Sequence, residues 1–307
     1  MKKVVLVSGA NGFVGSAVCR ALLAARNWTP VALAREGADS SLLTPGVPVV
    51  RGEFHDRRSV AKALAEAKPE AVVHAAAVVS TGKPDMALSS RINVEGTRHF
   101  VDAAMEAGVR RWVQISSMSA HRANHSVYGG TKFLADEEVR RSDLAWTILR
   151  PSIIYGPARR GIFFKLVNLL RKLPVVPVVG PGREDMRPVH VDDLAMAVLM
   201  ALDSPMAAGK AYMLGCAEAM TAREFFARTA AAAKGRPAPV LPLPIWLCRI
   251  IAATGEALLA NPPITRDNIE GVVKAQPVEI ADAERDLGFR PRSYDEGLEE
   301  CLPQLLG

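Results

Sequence analysis

Cysteine is scarce: the 307-residue chain carries four, at Cys19, Cys216, Cys248 and Cys301, and no two of them form a C-x-x-C pair. A disulfide scaffold and a cysteine-ligated zinc are disfavoured, and a reducing, cytoplasmic location is expected. Long apolar runs are missing too. Lys2-Lys3 and the apolar residues after them superficially resemble a secretory leader, but glycine interrupts the run after four or five residues, too early for a signal core. The most hydrophobic later stretch, 241–260, is broken by Pro242, Pro244, Arg249 and Glu256, whereas a bilayer span needs about 20 mostly apolar residues. It reads as a helix of the core or of a pocket wall, so no membrane span is expected. The 38 Lys and Arg outnumber the 32 Asp and Glu, a formal charge of +6, yet they form no long basic block and are not interleaved with aromatics. A solvated surface, and no nucleic-acid partner, is the expectation. Internal repeats and low-complexity tracts are absent apart from a short alanine run at 230–233.

What the chain does have is concentrated at its start. Val4-Val5-Leu6-Val7 is an uncharged, β-branched run of the kind that fills a strand buried on both faces. Ser8-Gly9-Ala10-Asn11-Gly12-Phe13-Val14-Gly15 follows at once, then Val18, Leu22 and Leu23 at helical spacing. Strand, glycine turn and helix place backbone N–H groups and a positive helix end against a pyrophosphate. Gly9 suits the tight turn, Gly12 the approach of a ligand to the backbone, and Gly15 the close packing of helix on strand. Plain packing remains the alternative for such a loop, whose G-x-x-G-x-x-G spacing is one residue longer at its first step than the usual dinucleotide fingerprint.

Strand and helix patterns then alternate: strands at 30–34, 47–50, 71–77, 112–117 and 145–151, and helices at 59–67, 92–107 and 128–141. That rhythm predicts an α/β fold with a Rossmann-type, doubly wound parallel sheet, whose ligands bind at the carboxyl ends of its strands. Beyond Pro151, proline and glycine crowd together and the rhythm fails. The expected division is a dinucleotide-binding unit at 1–151 and 187–209, with a smaller, discontinuous C-terminal substrate unit at 152–186 and 210–307.

Three residue types stand at the ends of neighbouring sheet elements. Ser116-Ser117 closes the fifth strand, Tyr128 and Lys132 open the helix after it, and Asn93 lies in the helix after the fourth strand. Tyr128 and Lys132 are four apart and share a helix face. A free phenol has a pKa of about 10 and is a poor base at neutral pH. A neighbouring ammonium, a helix N-terminus and a cationic nicotinamide all favour its phenolate. Ser117 is expected to hydrogen-bond a substrate oxygen and Tyr128 to move its proton, while hydride passes between substrate carbon and cofactor. Each piece has an ordinary alternative, Asn93 as a simple helix cap among them, but their joint occurrence after a glycine loop points to a catalytic set.

At this point the chain resembles the extended short-chain dehydrogenases/reductases, the NAD(P)-dependent epimerase/dehydratase family, nearly from end to end. The resemblance implies that Gly9, Asn11, Gly12, Phe13, Val14 and Gly15 form the cofactor loop. It implies that Glu53 and Phe54 cradle adenine (the family more often has Asp at the position of Glu53), and that Ala75, Ala76 and Ala77 after His74 form a cofactor wall. It places Pro151, Ile153 and Ile154 beside the nicotinamide and gives Asn93 a structural part in the active site. Ser117, Tyr128 and Lys132 match its catalytic triad, the last two also touching cofactor. Met118-Ser119 stand where sugar dehydratases of the family carry Asp-Glu, which counts against water elimination and leaves Met118 to face substrate.

The expected function is hydride transfer to or from a carbonyl or alcohol. The alternatives are a nucleotide-sugar epimerase with a retained cofactor and a non-catalytic dinucleotide-binding protein on this fold. NADP(H) is favoured over NAD(H), because Arg35 follows the second strand twenty residues after Gly15, where an Arg accommodates the 2′-phosphate. Glu36 beside it leaves NAD(H) open. Arg187 is expected to hold an anionic tail of a small-molecule substrate, or else to pair with Asp185 or Asp192. The basic stretch Arg159, Arg160, Lys165, Arg171 and Lys172 is either a wet face or a second hold on that anion. His121 and His125 have no carboxylate or cysteine nearby, so no metal is expected. A homodimer through helices 92–107 and 128–141 is a further implication of the resemblance.

Overall fold

A computed structural model of the chain describes residues 2–78, 85–121, 126–159, 161–259, 262, 264–273 and 277–306, so that His125 and Arg160 lie outside the described residues. The opening apolar run does form a strand buried on both faces, with Val5, Leu6 and Val7 fully excluded from water. From there the chain runs through β1 (Lys3–Ser8), α1 (Phe13–Ala24), β2 (Trp28–Ala34), β3 (Val49–Arg51), α2 (Arg57–Ala67) and β4 (Ala71–His74). It continues through α3 (Met86–Ser90), α4 (Gly96–Glu106), β5 (Arg111–Ile115), α5 (Val127–Arg140) and β6 (Ala145–Pro151). Next come β7 (Ile154–Tyr155), α6 (Gly161–Lys172), β8 (Val176–Val179), β9 (Asp185–Met186), β10 (Val189–His190), α7 (Val191–Asp203) and β11 (Lys210–Leu214). The last elements are β12 (Met220–Thr221), α8 (Ala222–Lys234), β13 (Val240–Leu243), α9 (Ile245–Leu258), α10 (Arg266–Val273), α11 (Ala281–Leu287) and α12 (Tyr294–Leu306).

The described residues form one sheet of seven strands in the order β3-β2-β1-β4-β5-β6-β11. All its pairings are parallel. The strand order reverses between β1 and β4, which opens a crevice at their carboxyl ends. Alternation along β1 divides the core in two. Val5 and Val7 pack with α1 and α7, whereas Leu6 packs with Val60, Phe100 and Trp112 on the other face. A third cluster, built around Tyr155, Phe163, Phe225 and Tyr294, lies within the elements that follow β6.

Three expectations are corrected. Residues 210–214, assigned from sequence to the smaller unit, are the seventh strand of the large sheet, paired Lys210 to Thr147 through Leu214 to Pro151. Tyr212 and Leu214 gain burial there, and Ala283, Leu287 and Phe289 of the C-terminal region join the same core. The helix expected from residue 92 begins earlier, at Met86, and passes through a π-helical turn at Arg91–Glu95 before α4. Of the two readings of the apolar stretch 241–260, a helix of the core or of a pocket wall, the core helix does not hold for α9. Only Cys248 and Ala252 of α9 are buried, while Trp246, Ile250 and Leu258 stay 63%, 55% and 77% exposed. Among the described residues no helix is long and apolar enough to cross a membrane.

Candidate active site

The crevice between β1 and β4 is edged by backbone rather than side chain. After Ser8 the chain turns at Gly9, φ +69°, and the Gly12 N–H donates to the Gly9 carbonyl at 2.8 Å. A Cβ on Gly9 would stand 2.8 Å from the Ala76 nitrogen, and one on Gly15 would stand 2.0 Å from the Gly9 oxygen. The loop therefore lies directly against the end of β4, and α1 directly on the loop. No side chain caps α1, and its first turn carries no acid, so its terminal N–H groups and positive dipole end suit an external anion. Ala75, Ala76 and Ala77, all partly buried, follow β4 on the facing side. Phe13 and Val14 pack on the core, and the Phe13 ring lies beside Gly156, 3.3 Å from where a Cβ would be. Residues so placed fit a dinucleotide pyrophosphate.

Behind the loop runs a chain of buried hydrogen bonds. Thr97 Oγ1 donates to the Asn93 carbonyl at 2.7 Å and so accepts from His74 Nε2 at 3.2 Å. His74 Nδ1 then accepts from Ser8 Oγ at 2.6 Å. Burial, reinforced by the Lys132 charge, holds His74 well below the ordinary histidine value, so the ring is neutral. The π-helical turn carries Asn93 inward. Its Oδ1 accepts from Val78 N at 2.8 Å, and its Nδ2 donates to the Val78 carbonyl at 3.1 Å and to Thr131 Oγ1 at 3.2 Å. Asn93 thus clasps the segment after β4 to α5, the helix that bears Tyr128 and Lys132, as π-turns at functional sites often do.

Ser117 follows β5 and leads into a 3₁₀ turn over Met118–His121; its Oγ accepts from Ser119 N at 3.2 Å. The first turn of α5 packs on that segment, because a Cβ on Gly129 would lie 2.9 Å from the Ser119 oxygen. Ser126 caps α5 by accepting from Gly129 N. Lys132, 2% exposed, donates from Nζ to the Ile115 carbonyl at 2.7 Å. One turn further on, the fully buried Asp136 accepts from Ser116 Oγ at 2.8 Å and pairs with Arg150 at 2.9 Å. Burial pushes the Tyr128 phenol up to about 12 and, against the pull of Asp136, brings the Lys132 ammonium down to about 8. Burial thus acts on Tyr128 against the lowering expected from Lys132, a helix N-terminus and a nicotinamide cation together. Desolvation disfavours a phenolate, and the Lys132 ammonium commits one of its three donors to a main-chain carbonyl.

The other candidates lie around this centre. Arg35 and Glu36 are exposed at the end of β2. Arg51, a residue the sequence reading did not single out, donates from Nη1 to the Arg35 carbonyl at 3.0 Å. Its place at the end of β3 in Val-Val-Arg-Gly was the available signal. Glu53 faces His55 at 3.1 Å, and the Phe54 ring packs edge-on to His74 and against Gly96. Pro151 ends β6, and the Ile153 carbonyl accepts from Val189 N just before Ile154 begins β7. Arg187 is partly exposed and makes no ion pair among the described residues. Asp185 accepts from Val278 N, and Asp192 pairs with Arg20. Asp136 and Arg150 were also missed, since a carboxylate eight residues after Tyr128 reads as one more helical charge.

A doubly wound parallel sheet, an uncapped glycine cradle at its switch point and a Ser, Tyr and Lys on adjoining elements define a class of nucleotide-dependent enzyme. The chain belongs to the NAD dependent epimerase/dehydratase family, whose family model matches residues 5–215, and it is an NAD(P)-dependent oxidoreductase or epimerase of the extended short-chain dehydrogenase/reductase type. It is 29% identical to a 2-alkyl-3-oxoalkanoate reductase of Stenotrophomonas maltophilia (strain K279a), over 96% of this chain and 97% of that one. It is 27% identical to a 3 beta-hydroxysteroid dehydrogenase/Delta 5-->4-isomerase of Mycobacterium tuberculosis (strain ATCC 25618 / H37Rv), over 97% of this chain and 89% of that one. A UDP-glucose 4-epimerase of Thermus thermophilus, solved with NAD, shares the fold with a TM-score of 0.75 at 24% identity, covering 99% of both chains.

Because His74 is neutral in the folded chain, an unfolded chain takes up a proton below about pH 6.5 that the folded one does not. Stability contributed by His74 is therefore complete above that pH and falls by roughly 1.4 kcal/mol per unit below it. Urea unfolding at pH 7.5 and 5.5 is expected to show that loss in the wild type and a smaller one in His74→Gln. Equal losses in both would assign the pH dependence to other groups.

Proposed function

We propose that the chain reduces a ketone bearing an anionic group, with Tyr128 as proton donor and NADPH as the favoured reductant. The observation that carries this is the partly buried Tyr128 and the buried Lys132, four residues apart on α5, which packs on the segment after Ser117 at the carboxyl edge of the sheet, near the glycine cradle. A nicotinamide bound there supplies hydride to the carbonyl carbon. The Ser117 hydroxyl donates a hydrogen bond to the carbonyl oxygen and holds it in place. As charge builds on that oxygen, the Tyr128 phenol gives up its proton to it. Lys132, still mostly charged at neutral pH with a value of about 8, stabilises the phenolate left behind until solvent restores the proton.

A phenol held up at about 12 suits donation better than abstraction. A retained-cofactor epimerisation would use the same tyrosine in both directions, so the support for net reduction is the reductase among the relatives. Support for NADPH comes from Arg35, exposed just after β2, and Arg51, which ends β3 and donates to the Arg35 carbonyl, two cations at the strand ends where a ribose 2′-phosphate would lie. Support for the anionic group comes from Arg187, which lacks an ion-pair partner among the described residues. The 2-alkyl-3-oxoalkanoate of the Stenotrophomonas relative's name has this chemistry, a ketone near a carboxylate.

Tyr128→Phe removes one hydroxyl. With a 3-oxo acid as probe substrate it is expected to cost roughly two to four orders of magnitude in turnover while NADPH affinity stays near wild type. Wild-type turnover would rule out the proposed proton donor. Arg35→Ala is expected to shift the ratio of NADPH to NADH affinity about tenfold toward NADH, as for loss of one charged hydrogen bond. An unchanged ratio in titrations would remove Arg35 from the cofactor site. Arg187→Ala should lower kcat/KM for a 3-oxo acid by about 2 kcal/mol, some thirtyfold, and hardly touch its methyl ester. Similar losses on acid and ester would make Arg187 a structural residue.

A further inference from the structure

One face of the molecule is unlike the rest in both hydrophobicity and charge. Trp246, Ile250 and Leu258 fall on a single side of α9 at intervals of four and eight residues, with Ile251 and Leu259 beside them. All five are exposed, as are Leu241 and Pro242 on β13, the strand that leads into the helix. The opposite side of α9 is occupied, since Cys248 and Ala252 pack on Ile269. The helix therefore carries a second apolar side that nothing in the described chain covers. Single exposed apolar residues are ordinary; a contiguous run of this length marks an interaction surface.

Charge separates the same region. Residues 152–183 contain six basic residues and no acid, and residues 225–255 contain four and none. The remainder of the chain is net acidic, which is why the total of +6 concealed the asymmetry. The parallel pairing of β8 with β13 brings the two stretches side by side. At the start of these strands Arg171, Lys172, Lys234 and Arg236 line a cleft of about 540 Å³. None of the four makes an ion pair among the described residues, whereas Arg228 and Arg249 are paired with acids. From the cleft the exposed β13 runs roughly 13 Å, at about 3.3 Å per residue, to the first turn of α9. A basic cleft, an apolar edge strand and an apolar helix side with a tryptophan thus form one continuous band.

We propose that this band docks the protein on an anionic bilayer surface, with the outer side of α9 and Leu241 entering the headgroup boundary and the cleft residues meeting lipid phosphates. An interfacial helix needs an apolar side with an aromatic anchor, flanked by unpaired Lys and Arg, and gains most from anionic lipid. A second copy of the chain is disfavoured as occupant, because a two-fold contact would set each basic stretch against its own copy. An acidic protein partner would satisfy the cations but leaves the apolar run without a stated complement.

The test is cosedimentation of the full-length protein with sucrose-loaded vesicles, either of phosphatidylcholine alone or with a third phosphatidylglycerol. At low salt the anionic vesicles are expected to bind at least tenfold more tightly, with a blue shift in tryptophan emission and weakening in 0.5 M salt. Trp246→Ser with Ile250→Ser should lower that affinity at least tenfold and abolish the blue shift. Arg171→Glu with Lys172→Glu, which leaves α9 intact, should remove the preference for anionic lipid. Gel filtration and thermal melting establish that each variant is folded and of unchanged size. Failure to bind anionic vesicles, equal binding to both lipids, or wild-type binding by both variants would overturn the proposal. So would self-association of the wild type that the Trp246→Ser, Ile250→Ser variant abolishes, since the face would then be an interface between copies.

Discussion

The candidate active centre depends on one buried ion pair. Asp136, with no exposed surface, binds Arg150 from the end of β6 and Ser116 from the end of β5, while its own helix, α5, presents Tyr128 and Lys132. A charge pair taken out of water contributes little net stability, but removing one partner costs about 3–5 kcal/mol because the other is left buried and alone. Its effect is therefore geometric. Ser117 and Pro151 each follow immediately after a residue that Asp136 holds, so neither strand end can shift relative to α5 without breaking the pair.

The second constraint is the hydrogen-bond chain from Ser8 through His74 and Thr97 to Asn93. It joins the glycine loop to the π-helical turn, and Asn93 passes the connection to Thr131, next to Lys132. The glycine cradle and the proposed proton-transfer groups are thus tied together through polar groups that leave no slack, since a buried donor or acceptor without a partner is costly. The site so held is buried around Lys132 and Asp136, while Ser117 and Tyr128 stay partly exposed. Burial raises the phenol of Tyr128 and lowers the ammonium of Lys132.

Much of this was legible in the residues. The unalternating run Val4–Val7, the glycines after it and the regular return of apolar strands announced a doubly wound sheet. The placement of Ser117, Tyr128 and Lys132 at successive element ends pointed to the proposed chemistry, because helix and strand periods are local properties that a sequence carries openly. The misreadings share one cause. Strand β11, the start at Met86 with its π-helical turn, and the outward side of α9 depend on which neighbours a segment meets, and five residues of pattern do not say whether a strand pairs with Thr147 or elsewhere.

By itself, then, the sequence determined the elements, the cradle and the identity of the proposed reacting side chains, since backbone propensity, glycine geometry and four-residue spacing act over short distances. Tertiary structure alone decided the desolvation around Tyr128 and Lys132, the partnership of Asp136 with Arg150, the surroundings of Arg187 and the gathering of two distant acid-free stretches along β8 and β13. Those depend on desolvation and on contacts between residues far apart in the chain, and both arise only when the chain has closed on itself.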